Sequence, residues 1–333
     1  MPTAEHFAQV VEFALNGDNT GVIAALNDAV THDRGRGWNQ SANALAALGE
    51  RFARQRPAQG QFRDPAVQNM MFAVPPTENG LDDLLLPERM IASLRSVVAE
   101  HRDRARLREH GLKPTSKILC DGPPGTGKTM TAQALAKELG LSCFVVATSQ
   151  LLSKYFSESG SNMDKAFKAV REVPGVYLFD EFDSLGAGRE SGHGEERKVV
   201  NWLLRNLEGD TGMSVVMAAT NMPKIIDRAA FRRFELRLQY TMPTEKVMDE
   251  LLRRRFASAR LELPKLPAGY GKRLIGVSLG DIGEAAGRVM RAAVMQGRQV
   301  LSGELHQALL DRRPPLKKKA KGSHNNDDQH SEE

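Results

Sequence analysis

Gly122-Pro123-Pro124-Gly125-Thr126-Gly127-Lys128-Thr129 follows directly on the apolar run Lys117 to Asp121. It matches G-x-x-x-x-G-K-[ST] in full and stands where a strand gives way to a helix. Glycines at these positions let successive backbone N–H groups curl around phosphates, and a helix starting near Lys128 turns its positive end toward them. Lys128 is placed to reach the β and γ phosphates and Thr129 to offer its hydroxyl to Mg²⁺; Met130, the next residue, is counted with them as an expected nucleotide contact. Some fifty residues on, Val176-Tyr177-Leu178-Phe179-Asp180-Glu181 reads as a buried strand ending in two carboxylates. Asp180 suits the magnesium shell and Glu181 the polarising of an attacking water. General-base assistance of this kind is worth roughly 10²- to 10⁴-fold, and the second carboxylate favours an ATPase over a nucleotide kinase or a GTPase. Asn221, after Ala218-Ala219-Thr220, falls at the carboxyl end of the next strand, where ligands bind in open sheets, and would orient the water.

The elements that must hold these groups alternate. Strands are expected at Lys117 to Asp121, Cys143 to Ala147, Val176 to Asp180, Ser214 to Ala219 and Leu236 to Tyr240, with helices between them. That is the pattern of a mostly parallel α/β sheet sandwiched by helices. After Pro243 the reading is all helical, clearest over Glu245 to Ala259 and Asp281 to Gln296. Residues 1–55 read as a small N-terminal module of three helices, from apolar positions such as Phe7, Val10, Val11, Ala14 and Leu15, then Val22, Leu26, Ala29 and Val30, then Leu45, Leu48 and Phe52. Residues 56–80, rich in Gln, Pro and Arg, are expected to be a linker. The remaining divisions are 81–243 for the α/β part, 244–312 for a helical lid and 313–333 for a disordered tail.

Charged residues make up 26% and hydrophobic ones 41% of the 333, which excludes wholesale disorder and a membrane bundle. The net charge of +5 is uneven, because the first 33 residues hold five acids and no Lys or Arg, leaving +10 on the rest. A signal or transit peptide needs early positive charge, and a membrane span needs roughly 18 apolar residues, so a cytoplasmic protein without a membrane span is expected. Cys120 and Cys143 lack CxxC spacing and sit in apolar runs, which reads as two reduced core thiols. The segment Arg312 to Lys321 has six basic residues and no acid.

From about Leu81 to Asp311 the chain resembles the AAA family of P-loop ATPases. Ile226-Asp227-Arg228-Ala229-Ala230-Phe231-Arg232-Arg233-Phe234-Glu235 resembles the second homology region of the meiotic clade, which includes katanin and spastin. By that resemblance Arg232 and Arg233 are arginine fingers that enter the neighbouring subunit's ATP site. Lys154-Tyr155-Phe156-Ser157-Glu158-Ser159 resembles the first pore loop, in which the aromatic grips an extended polypeptide; the plainer alternative makes Tyr155 and Phe156 core residues of a helix. Ser157 replaces the family's usual glycine. Gly186 to Gly194 lies where a second pore loop would fall but has no aromatic residue. Ser278-Leu279-Gly280-Asp281-Ile282 resembles the lid motif whose backbone, at Gly280, packs near adenine. The adenine-edge segment reads Asp83-Leu84-Leu85-Leu86 in place of the usual Asp-Ile-Val-Gly.

The expectation is therefore an ATP- and Mg²⁺-dependent homo-oligomeric ring, a hexamer, that remodels or unfolds protein substrates. A second reading is a ring that activates one partner enzyme, such as a separately encoded protease. The chain carries no HExxH motif, and Ser331-Glu332-Glu333 is not a hydrophobic-Tyr-X docking tail, so it is not expected to be a protease itself. DNA remodelling has only the sequence pI of about 9.2 and the basic segment in its favour, and nucleic acid is not the expected partner.

Overall fold

The computed structural model describes residues 4–15, 19–54, 62, 64–151, 156–182, 205–206, 209, 211–222 and 232–314. Six strands form one sheet: β1 (Met71–Val74), β2 (Lys117–Asp121), β3 (Ser142–Val146), β4 (Gly175–Phe179), β5 (Val215–Thr220) and β6 (Leu236–Gln239), in the order β1-β3-β4-β5-β2-β6. Every pairing is parallel except that of β1 with β3. The central strands β4 and β5 are buried along their whole length, which is why they read as continuous apolar runs rather than alternating ones. Successive side chains go to opposite faces. Leu119, Tyr177, Phe179, Val216 and Ala218 pack with Met163, Phe167 and Val170 of the helix Phe156–Glu172. Ile118, Cys120, Val176, Leu178, Met217 and Ala219 pack with helices Glu88–Arg102 and Lys128–Leu139. Both thiols lie buried, and burial pushes each up to about 12, as expected of inert core cysteines.

The three N-terminal helices, α1 (Ala4–Leu15), α2 (Asn19–Gly35) and α3 (Asn39–Arg54), pack on one another. Val22, Ala25, Leu26, Ala29 and Val30 recur at helical spacing on the buried face of α2. Asp33 at its end is fully buried and accepts the Ser41 hydroxyl of α3 at 2.5 Å.

The linker expected over 56–80 is corrected by the described part of that stretch. Pro65–Met70 is helix α4, with Pro65 at its first position and Asp64 accepting the Ala66 N–H at 2.9 Å. It runs straight into β1, the antiparallel edge strand. Phe62 packs on Phe144 of β3 with ring centroids 5.0 Å apart. The prolines and glutamines that gave a linker reading flank an apolar segment too short to show a period, and a four-residue strand hides in it.

Compact units divide at Met242–Pro243. The second unit holds α10 (Glu245–Ser258), α11 (Tyr270–Arg273), α12 (Leu279–Met295) and α13 (Ser302–Leu310), when the intervening helices are numbered α5 (Glu88–Arg102), α6 (Arg104–Glu109), α7 (Lys128–Leu139), α8 (Thr148–Leu151) and α9 (Phe156–Glu172). Its own core includes Leu252, Phe256, Leu274, Ile282, Val289, Leu305 and Leu309. Among the described residues no helix is long and apolar enough to cross a membrane.

Candidate active site

Three adjacent parallel strands, β4, β5 and β2, deliver their carboxyl ends to one edge of the sheet, and each carries a predicted site residue out of that edge. β2 leads into the phosphate loop. Gly122, Gly125 and Gly127 have φ of 149°, 70° and 104°, a region that L side chains avoid. At Gly122 a Cβ would stand 2.3 Å from the Tyr240 carbonyl oxygen, so this position admits glycine alone for reasons of space as well. Thr126 is buried and donates its hydroxyl to Pro123 O at 2.7 Å, closing the loop on itself. α7 then begins at Lys128 with left-handed Gly127, which has no side chain to cap it, as its cap residue, so the positive end of a helix is turned to the loop. Thr129 and Met130 on its first turn are exposed.

Lys128 is buried, and an ammonium out of water needs acceptors. It donates to Gly122 O at 2.7 Å, Pro123 O at 2.8 Å and Asn221 Oδ1 at 2.8 Å. The last bond joins the loop to the end of β5, where the Thr220 hydroxyl accepts the Met222 N–H at 3.0 Å and sets the turn that carries Asn221.

β4 ends at Asp180-Glu181. Glu181 has φ +50°, a left-handed conformation that costs a non-glycine residue about 1–2 kcal/mol. Its surroundings hold it there: Asp180 Oδ1 accepts the Glu181 N–H at 2.9 Å, and the buried Thr148 donates its hydroxyl to Asp180 O at 3.1 Å. The next residue, Phe182, is buried and meets Phe234 edge-on with centroids 6.0 Å apart. Strain that neighbours over-determine in this way is typical of functional turns. A hydroxyl and a carboxylate, as at Thr129 and Asp180, are the hard oxygen donors that Mg²⁺ takes when phosphates complete its shell. Among the described residues no group of three or more His, Cys, Asp or Glu is placed to hold a metal unaided.

Arg232 and Arg233 lie elsewhere. Arg232 is exposed and Arg233 half-buried, on the turn that enters β6. That turn is tied to the amino end of β2, because Glu235 Oε2 accepts the N–H groups of Ser116 at 2.6 Å and Lys117 at 3.0 Å. Five strand steps separate Lys117 from Gly122, about 17 Å at roughly 3.3 Å per residue, longer than an arginine side chain. The structure thus groups the loop, Asp180-Glu181 and Asn221 at one edge and ties the start of β6 behind the arginine pair to the amino end of β2, while the Phe234 ring on that turn meets the Phe182 ring beside Glu181.

Lys154 and Tyr155 lie outside the described residues, as do Gly186 to Gly194 and the stretch 223–231; Phe156 opens α9. Gly280, in the second unit, is exposed on the first turn of α12. The motif around it forms a capping box, with Ser278 and Asp281 each accepting the other's backbone N–H at 3.2 Å. Sequence reasoning missed two groups that lie against these residues: Thr148, and the ion pair between Asp121 and Arg237. The second had a visible signal, an acid ending an otherwise apolar buried strand, which demands a partner.

Residues 118–242 match the family model for the ATPase family associated with various cellular activities (AAA). The chain is 34% identical over 237 residues to an uncharacterized AAA family ATPase, y4kL, of Sinorhizobium fredii (strain NBRC 101917 / NGR234), a match covering 70% of this chain and 71% of that one. Its fold resembles the crystal structure of the FIGL-1 AAA domain with TM-score 0.58 at 22% identity, over 79% of this chain and 94% of the other. With the relative matched across more than two-thirds of its length and the same family found independently over the loop, the carboxylates and β6, the chain belongs to the AAA family of ATPases and is an ATP-binding ATP hydrolase.

Proposed function

We propose that the chain is one subunit of a homo-oligomeric ring, a hexamer, that couples ATP hydrolysis to remodelling or unfolding of protein substrates. The observation that carries this reading is the tie of the start of β6, behind Arg232 and Arg233, to the opposite end of β2 from the chain's own phosphate loop. A guanidinium at the γ-phosphate can be worth roughly 10³- to 10⁵-fold in rate, and here it would come from another copy.

In this reading the backbone N–H groups of Gly125 to Thr129 and the Lys128 ammonium hold the phosphates, Lys128 exchanging its carbonyl partners for phosphate oxygens. Met130 and Gly280 are nucleotide contacts by family resemblance. Thr129 and Asp180 would hold Mg²⁺, which when bound neutralises phosphate charge. Glu181 takes the proton of the attacking water, and Asn221, steadied by Lys128, orients that water. Thr148 gives the site a path outward, because its hydroxyl holds the Asp180 carbonyl while its backbone starts α8, the helix leading to Lys154-Tyr155-Phe156. An aromatic at that position can hold an extended chain by packing without reading its sequence.

The test is Tyr155→Ala. Basal ATP hydrolysis should stay within a few-fold of wild type, on the order of 1 kcal/mol or less in the barrier, while remodelling and substrate stimulation are lost. If Tyr155 is a core residue instead, its truncation costs roughly 3–5 kcal/mol of stability, and an early-melting, wholly inactive variant would remove the threading function.

A further inference from the structure

β2 ends on a carboxylate where the rest of its interior is apolar. Ile118, Leu119 and Cys120 are fully buried, and Asp121, 5% exposed, is the last residue before Gly122. Both its oxygens are engaged by one fork: Arg237 donates from Nε to Oδ1 at 2.7 Å and from Nη2 to Oδ2 at 3.0 Å. Bidentate pairing of this kind is among the strongest side-chain contacts and fixes orientation as well as charge. The strands set it up. Arg237 stands opposite Leu119 in the β2–β6 register, and Asp121 opposite Gln239, so the guanidinium leans along the sheet toward the loop. Asp121 in turn holds the Arg237 guanidinium above its usual range.

A buried anion one residue from a loop that must hold a polyphosphate works against binding, and Asp180 and Glu181 already add negative charge at that edge. We propose that Arg237 is a positioning residue of the nucleotide site, which keeps ATP affinity high by neutralising Asp121 and fixing the carboxylate away from the phosphates. The proposal rests on the reading of Gly122 to Thr129 as the nucleotide site. Arg237 acts through Asp121 and needs no contact with ATP.

Binding of a ribose-labelled fluorescent ATP to the full chain, with thermal melting of the same nucleotide-free samples, tests it. Arg237→Gln should weaken binding about tenfold, the effect of one uncompensated charge roughly 10 Å away at an effective dielectric constant near 20. Asp121→Asn/Arg237→Gln, which lacks the ion pair just as fully, should return to within about threefold of wild type. Arg237→Lys, which keeps the charge and loses the fork, should fall between wild type and Arg237→Gln. If Arg237→Gln is too unstable to assay, Asp121→Asn alone decides: it should bind at least as tightly as wild type. Wild-type affinity in Arg237→Gln, a double variant as weak as that single one, or weaker binding by folded Asp121→Asn would each overturn the proposal. Failure of the wild-type chain to bind the labelled ATP would instead overturn the nucleotide site itself.

Discussion

Lys128 and Glu181 have different roles in the proposed site, and their environments differ in the same sense. Lys128 is buried on carbonyls of the loop, so in the proposed site its charge would be the loop's fixed attraction for phosphate. Glu181 is exposed on a strained turn, where it can face water without contributing to the hold on phosphate. Lys128→Ala should therefore lose ATP binding, while Glu181→Gln keeps it and loses turnover by roughly 10²-fold or more. Nucleotide titration and steady-state phosphate release on both variants check this, and an equal loss of affinity in the two would contradict the division of labour. At this scale the sequence is legible where chemistry is local. The loop and the paired carboxylates are contiguous, and their strand contexts are visible in flanking apolar runs. Asp121 and Arg237 are 116 positions apart and Thr148 and Asp180 are 32 apart, so their pairing exists only once the parallel strands are in register.

At the scale of elements, β6 is a brace along β2. Glu235 pins its start to Ser116 and Lys117, Arg237 grips Asp121 near its middle, and the Tyr240 N–H just beyond it bonds to Asp121 O at 2.7 Å. Glu235 also anchors the arginine turn, and its side chain is 42% exposed. Removing it in Glu235→Ala should cost about 1–2 kcal/mol, less than the full worth of two buried charge-assisted bonds because solvent screens them. The melting temperature should drop by a few degrees. Affinity for ATP should hold, because the loop is at the far end of β2, while turnover should fall if the turn carries the proposed arginine fingers and loosens. Lost affinity with unchanged turnover per bound nucleotide would show that Glu235 serves the loop instead. The five parallel strands were readable within a residue or so at each end because burial on both faces leaves an apolar run. β1 was not, since an edge strand of four residues with Phe72 half in solvent carries neither a run nor a period.

Over the whole molecule, the proposed role of Arg232 and Arg233 makes the site complete only when copies of the chain meet. The loop, the carboxylates and Asn221 gather at one edge of one subunit, and the start of β6 behind the arginine pair is tied to the amino end of β2, so hydrolysis should depend on assembly and specific activity should rise with protein concentration. The helical second unit and the N-terminal helices were visible from spacing of apolar residues, whereas nothing in a single sequence could show at which end of β2 the arginine turn is tied. The measurement that bears on this most directly mixes two inactive proteins: subunits carrying Arg232→Ala/Arg233→Ala, which keep an intact phosphate loop, and subunits carrying Lys128→Ala, which keep intact fingers. Combined at a concentration where wild type is active, they should recover a clear fraction of wild-type ATP hydrolysis, because at mixed interfaces one subunit's loop meets the other's arginines. No recovery on mixing, together with wild-type activity that stays constant per subunit on dilution to a monomer, would contradict a site shared between neighbours.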